Sequence, residues 1–156
     1  MRYGYIGIIC LLLIFSLGCS SKNERNEYTE KIGKNLKEPP SLTIAIGEQT
    51  IRTVSGGFSW EYVSENGETV HTQTDIAAPP ELVDFNEATS VHADAEVGLL
   101  FDYPPNEYSV KVWDDERVIA TYEDIDLSLF KGNVLYELEG KWEQGTANYV
   151  FALFID

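Results

Sequence analysis

The chain has 156 residues, which is enough for one domain with appendages and too few for two full-sized domains. Hydrophobic residues make up 44% and aromatic residues 12% of it, a composition that favours a packed core over disorder. The net charge of -15 disfavours binding to nucleic acid or to anionic lipid. Two cysteines and two histidines are too few for a disulfide framework or for a zinc motif built on Cys/His pairs.

Residues 1–18 have the organisation of an export signal. Arg2 precedes an apolar stretch from Ile6 to Leu17, and Gly18 and Cys19 follow it. The apolar stretch is shorter than the roughly 20 residues that a bilayer-spanning helix needs. We therefore expect this segment to direct export, with the domain outside the membrane.

Cys19 resembles the lipobox cysteine of bacterial lipoproteins. The resemblance implies that Cys19 is acylated with a diacylglycerol, that the signal is cleaved before it, and that the protein is anchored on the extracytoplasmic face of the cell membrane. Cleavage would leave Cys19 as the one cysteine of the mature chain, because Cys10 lies in the signal. A plain secretory signal, in which Cys19 is incidental, is the alternative.

The composition divides the rest of the chain into a linker and a domain. Residues 19–40 are rich in Ser, Asn, Lys and Glu, which predicts a lipidated N-terminus and a flexible tether that ends at Pro39-Pro40. Residues 41–156 carry 22 acidic and five basic residues, a net charge of about -17. The domain is therefore strongly acidic, whereas the tether is close to neutral.

Short β-rich runs separated by turn residues fill residues 41–156, and Asn66-Gly67 is the strongest hairpin signal among them. Pro79-Pro80-Glu81-Leu82 predicts a single helical turn started by proline. About nine strands with turns every 8 to 12 residues predict an all-β, antiparallel sandwich. In chain order the predicted strands are Ser41–Ile46, Gln49–Val54, Phe58–Val63, Thr69–Thr74, Thr89–His92, Glu96–Phe101, Tyr108–Trp113, Arg117–Tyr122, Asn133–Glu143 and Ala147–Ile155.

Several packing motifs recur through the domain and at the end of the chain. They are Phe58-Ser59-Trp60, Pro79-Pro80-Glu81-Leu82, Leu129-Phe130-Lys131-Gly132, Tyr136-Glu137-Leu138, Trp142, Gly145 and Tyr149-Val150-Phe151. Together they resemble the immunoglobulin-like domain that closes small lipoproteins of Gram-positive spore formers. The resemblance implies an immunoglobulin-like β-sandwich and an extracytoplasmic location, and it assigns no catalytic residue.

No motif for catalysis is present in the sequence. A Gly-x-Ser-x-Gly nucleophile elbow is absent, and we expect no cofactor. His71 and His92 are the only side chains with ordinary pKa values near neutrality, and both lie in strand-like runs where a surface position is expected. A divalent metal site formed by His71, His92 and Asp94 is a weak alternative, because their spacing matches no local metal motif.

The three tryptophans are predicted to have different roles. Trp60 and Trp142 are in phase with other apolar residues of their strands, so we expect them in the core. Trp113 is adjacent to the acidic turn Asp114-Asp115-Glu116. An aromatic side chain with a charged rim is typical of protein interfaces, so these four residues are the predicted binding edge.

The sequence thus favours a non-catalytic binding or structural module on a lipid anchor. The expected partners are the membrane, through the anchor, and a surface or secreted protein with a basic patch. Nucleic acid is not an expected partner. The alternatives are a cell-wall hydrolase and an accessory subunit that binds a divalent cation through acidic turns.

Overall fold

The computed structural model describes residues 36–114 and 116–156, which form two β-sheets. The smaller sheet has the strand order β2-β1-β6, and the larger has the order β4-β3-β10-β9-β7-β8. The strands are β1 Leu42–Ile46, β2 Gln49–Arg52, β3 Val54–Val63, β4 Thr69–Thr74, β5 Thr89–Val91, β6 Val97–Phe101, β7 Glu107–Trp113, β8 Val118–Tyr122, β9 Gly132–Trp142 and β10 Gly145–Ile155. Short helical turns lie at α1 Pro79–Leu82 and, as 3₁₀ turns, at Phe85–Glu87 and Leu127–Leu129.

The prediction of an all-β sandwich is confirmed at the level of mostly antiparallel strands in two sheets. The predicted hairpin at Asn66-Gly67 forms between β3 and β4, and Gly67 has the positive φ of 86° that this tight turn requires. The described residues contain ten strands, one for each of the predicted ranges. One pairing differs from the prediction, because β5 runs parallel to the end of β10.

Alternation along the strands places the core between the two sheets. Ile44 of β1, Leu138 of β9 and Leu153 of β10 are fully buried on the inner faces. Trp60 and Trp142 are also buried, and their rings meet edge to face with centroids 5.5 Å apart. The prediction that these two tryptophans belong to the core is therefore confirmed.

The folded part of the chain begins before the predicted boundary at residue 41. The indole Nε1 of Trp60 donates a 2.9 Å hydrogen bond to the carbonyl oxygen of Leu36, and the Tyr149 hydroxyl donates to the carbonyl oxygen of Pro40. Leu36 packs against the core and Pro40 is buried. Residues 36–40, which the sequence assigns to the tether, therefore contact the domain. Residues 1–35, with the predicted export signal and Cys19, lie outside the described residues.

The segment between β4 and β5 is much longer than the gap it spans. Thr74 ends β4 at the level of Ala147 on β10, and Thr89 begins β5 at the level of Leu153. These levels are about 20 Å apart along β10, whereas residues 75–88 could extend over roughly 45 Å. The surplus chain, called here the covering segment (residues 75–88), lies over the outer face of the large sheet, with α1 close to β9.

No helix within the two described ranges is long and apolar enough to cross a membrane.

Candidate functional site

The predicted binding edge begins at Trp113, the last residue of β7. Trp113 is half-buried, and its indole Nε1 donates a 2.8 Å hydrogen bond to Oε2 of Glu137 on the neighbouring strand β9. Its side chain lies on the outer face of the large sheet, opposite the core residues Val110 and Val112. The prediction of an exposed aromatic anchor therefore needs a correction: the polar atom of this side chain is already bonded inside the molecule.

The acidic turn that follows is held together by its own hydrogen bonds. Oδ1 of Asp114 accepts hydrogen bonds from the backbone amides of Glu116 at 3.0 Å and Arg117 at 2.9 Å. These two bonds, with the Arg117 side chain 3.5 Å away, hold the pKa of Asp114 below its usual value. Asp114 and Glu116 are exposed, and Asp115 lies outside the described residues. The Asp114 carboxylate therefore closes the β7–β8 hairpin.

The histidines occupy separate places on the surface. Nδ1 of His71 lies 3.1 Å from the Glu61 carboxylate, and Nδ1 of His92 lies 2.8 Å from that of the terminal residue Asp156. All four side chains are largely exposed. Among residues 36–114 and 116–156, no group of three or more His, Cys, Asp or Glu side chains could hold a metal ion. The structure therefore does not bring His71, His92 and Asp94 together as a metal site.

A cavity of about 280 Å³, partly open to solvent, lies between the covering segment and the large sheet. The sheet forms its floor across four neighbouring strands, in the order β3, β10, β9 and β7. We call it the outer-face cavity. Its floor consists of Gly56, Gly57, Asn148, Val150, Glu137 and Trp113, and its roof of Asp75, Ile76, Ala77, Ala78, Pro79 and Leu82.

Glu137 is the one buried acidic residue of the described chain, with 6% of its surface exposed. Its Oε2 accepts the Trp113 bond and lies 3.9 Å from Nζ of Lys111, which is directly opposite on β7. The Lys111 ammonium is closer to Glu139, at 2.8 Å. One lysine therefore serves two carboxylates, and the group keeps a net charge of -1. A buried carboxylate with incomplete compensation is costly unless further donors reach it.

The floor of the cavity also contains a bulge in the β3–β10 pairing. Register shifts between Ala147 and Tyr149, so that Gly56 and Gly57 both face Asn148. A Cβ atom on Gly56 would lie 2.8 Å from the Asn148 Cβ, so glycine is required for this close approach. Oδ1 of Asn148 is buried and has no hydrogen-bond partner among the described residues. The floor therefore holds an acceptor that no described group satisfies.

A larger cavity of about 580 Å³ lies where residues 38–43 enter the domain. Pro39, Pro40 and Tyr149 line it, together with Arg52 and Phe58. Burial, and then the charge of Asp102, raise the pKa of Tyr149 well above its ordinary value, so its hydroxyl stays protonated and bonds the Pro40 carbonyl. The cavity therefore lies around residues 38–43, and the Tyr149 hydroxyl in its lining holds this segment through the bond to Pro40.

The sequence-based prediction included Trp113 and did not include Glu137 or Asn148. The alternation of β9 places Glu137 on the face opposite the core, where a solvated carboxylate is expected. Two uninterrupted apolar runs in β9 and β10 are the sequence signal that could have revealed the burial of Glu137. Val134–Tyr136 and Tyr149–Leu153 are apolar on both faces, which is typical of strands covered on both sides.

No family model matches this sequence, and neither the curated proteins nor the solved structures include one with significant similarity to it.

Proposed function

We propose that this protein is a lipid-anchored extracytoplasmic lipoprotein whose immunoglobulin-like domain is a non-catalytic binding module. The outer-face cavity is its binding site. The observation that carries the proposal is the combination, in one cavity, of a buried carboxylate on Glu137 and a tryptophan that orients it. A mainly apolar cavity with a few convergent polar groups is the usual form of a binding site.

The described residues support binding better than hydrolysis. Both histidines bond to exposed carboxylates on the surface, away from the outer-face cavity lining. A glycosidase would need two carboxylates across a cleft, one of them acting as a proton donor. Oε2 of Glu137 instead accepts a hydrogen bond from the Trp113 indole and lies 3.9 Å from the Lys111 ammonium, and Glu137 is the one buried carboxylate in the cavity lining.

The adjoining turn provides a charged rim for the site. Asp114 and Glu116 are exposed directly after Trp113, and the domain as a whole carries about -17 charges. Such a field attracts cationic partners and repels anionic wall polymers. The partner at this face is therefore a cationic group, carried by a surface or secreted protein or by a small molecule.

The location is tested at Cys19. Cells that produce the full chain should incorporate radiolabelled palmitate into it, and Cys19→Ala should abolish the label and release the domain to the medium or leave a longer precursor. Cys10→Ala is the matched control, because Cys10 lies in the signal that cleavage removes. Wild-type protein without label would contradict the lipid anchor.

The binding role is tested by photocrosslinking in the same cells. A photoreactive residue at Ala78, in the roof of the cavity, should crosslink a partner, and Glu137→Gln should remove that product. The same photoreactive residue at Leu129, which is 53% exposed and far along the chain, is the control. Equal crosslinking from both positions, or products unaffected by Glu137→Gln, would contradict a site at the cavity. Hydrolysis of a wall polymer by the purified protein would contradict the non-catalytic role.

A further inference from the structure

We infer that the outer-face cavity takes a primary ammonium group on a short aliphatic stem, either a lysine side chain or a free alkylamine. This inference rests on the proposed binding function and names the chemical class of its ligand. Its starting point is the inventory of the lining. Glu137 and Asp75 contribute carboxylates, and none of the described residues in the lining is basic.

The polar floor selects for a hydrogen-bond donor with positive charge. The Glu137 carboxylate is largely shielded from solvent and shares the single positive charge of Lys111 with Glu139. A second cation would therefore balance the remaining negative charge of the pair. An ammonium group has three N–H donors and no acceptor, which suits a site whose free groups are acceptors. An anionic or purely accepting ligand would give the Glu137 carboxylate no further donor.

The remaining walls select for a short apolar stem. Ile76, Ala77, Pro79, Leu82 and Val150 are the apolar part of the lining. The volume of about 280 Å³ is at the small end of ligand pockets, so it fits a short chain rather than a drug-sized molecule. Trp113 lines the same space, and aromatic rings attract ammonium groups.

A divalent metal ion fits this lining less well. Calcium requires six to eight oxygen ligands, whereas the lining offers two carboxylate side chains, on Asp75 and Glu137. The Trp113 indole and the Lys111 ammonium, which both approach Oε2 of Glu137, would compete with a metal for that atom. An organic cation can bond the remaining acceptors without displacing either group.

The test uses the full-length chain in a non-ionic detergent and follows the three indole N–H signals by NMR. The probes are n-pentylammonium, N-acetyl-lysine-N-methylamide, neutral 1-pentanol, pentanoate and Ca²⁺. Both ammonium probes should shift the Trp113 signal in a saturable way, at least roughly tenfold more tightly than 1-pentanol. The signals of Trp60 and Trp142 should stay in place, because their indoles bond to backbone carbonyls elsewhere.

Two matched variants test the role of charge in the cavity. Glu137→Gln keeps the shape of the side chain and should weaken n-pentylammonium binding by about tenfold or more. Glu139→Gln removes one negative charge from the same face of the same strand and also bonds Lys111, but it does not line the cavity. This control should leave the affinity within about threefold. If Glu137→Gln unfolds, Asp75→Asn at the exposed roof replaces it and should weaken binding by several-fold.

Several outcomes would overturn the inference. These are equal affinity for 1-pentanol, tighter binding of Ca²⁺ or pentanoate, no saturable shift, or equal losses in Glu137→Gln and Glu139→Gln. Crosslinking from Ala78 that persists while the amines fail to bind would refute the ammonium ligand and leave the binding function standing. Tighter binding of the lysine derivative than of n-pentylammonium would assign the ligand to a protein side chain, and the reverse order would assign it to a free amine.

Discussion

The hydrogen bond between Trp113 and Glu137 gives a quantitative test of the outer face. Trp113→Phe keeps most of the ring and removes the indole N–H, which lies 2.8 Å from the buried Oε2 of Glu137. Hydrogen bonds to charged groups contribute about 1.5–3 kcal/mol. Because Lys111 still lies 3.9 Å from the same oxygen, we expect a loss in the middle of that range, about 2 kcal/mol.

A double-mutant cycle separates this bond from the loss of ring volume. In a Glu137→Leu background there is no carboxylate to orient, so Trp113→Phe should cost about 0.5 kcal/mol or less, leaving a coupling of roughly 1.5 kcal/mol. Free energies of unfolding from urea titrations, followed by circular dichroism, measure all four proteins. Equal costs of Trp113→Phe in the two backgrounds would refute the reasoning.

The matched control for this cycle is Trp142→Phe. Its indole Nε1 donates to the neutral carbonyl oxygen of Tyr103 at 3.1 Å, and its ring lies in the core on the other side of the sheet. We expect Trp142→Phe to reduce the free energy of unfolding by about 1 kcal/mol through loss of this hydrogen bond, and by the same amount in the wild-type and Glu137→Leu backgrounds. Coupling of Trp142 to Glu137 as strong as that of Trp113 would show that Glu137→Leu disturbs the whole sheet rather than one bond.

Three further changes test the fold itself. Trp60→Ala should reduce the free energy of unfolding by about 3–5 kcal/mol in urea titrations, since it leaves a large cavity between the sheets; a loss below 1 kcal/mol would contradict its core position. Gly145 has a φ of 150°, and a Cβ atom there would overlap the Ser59 carbonyl oxygen. Gly145→Ala should therefore reduce the free energy of unfolding by about 3 kcal/mol. The control Gly47→Ala, whose Cβ would meet no atom, should reduce it by about 1 kcal/mol. Burial raises the pKa of Tyr149, so the unfolded chain releases the hydroxyl proton at a lower pH than the folded protein does. The protonated hydroxyl therefore stabilises the fold fully below pH about 10, and this stability is lost as the pH rises further. Stability measured from pH 9 to 12 should therefore fall less steeply in Tyr149→Phe, and identical slopes would argue against a buried hydroxyl.

Local sequence patterns determined the strands and turns of this protein. The predicted strand Thr69–Thr74 has the same bounds as β4, and the proline-started turn at Pro79–Leu82 is present. These features depend on side-chain alternation and on the restricted φ of proline and freedom of glycine, which act within a few residues. The assignment of Trp60 and Trp142 to the core follows from the same alternation.

Pairing between distant segments was decided only by the tertiary structure. The pairing of β1 with β6 and the parallel pairing of β5 with β10 join strands with no turn signal between them. The docking of residues 36–40 depends in the same way on distant hydrogen bonds from Trp60 and Tyr149. A composition of Glu, Lys and Pro carries no sign of such partners, so the sequence does not predict these contacts.

The character of Glu137 is the clearest case in which sequence and tertiary structure differ. Its position in β9 determined that it faces away from the core, and the structure agrees. Whether that face meets water depended on the path of residues 75–88, which lie more than 45 positions earlier in the chain. The two ends of this segment are held by β4 and β5, and its surplus length covers the sheet. Alternation sets the direction of a side chain, but only packing by distant residues sets its solvation, because solvation depends on everything that surrounds the group.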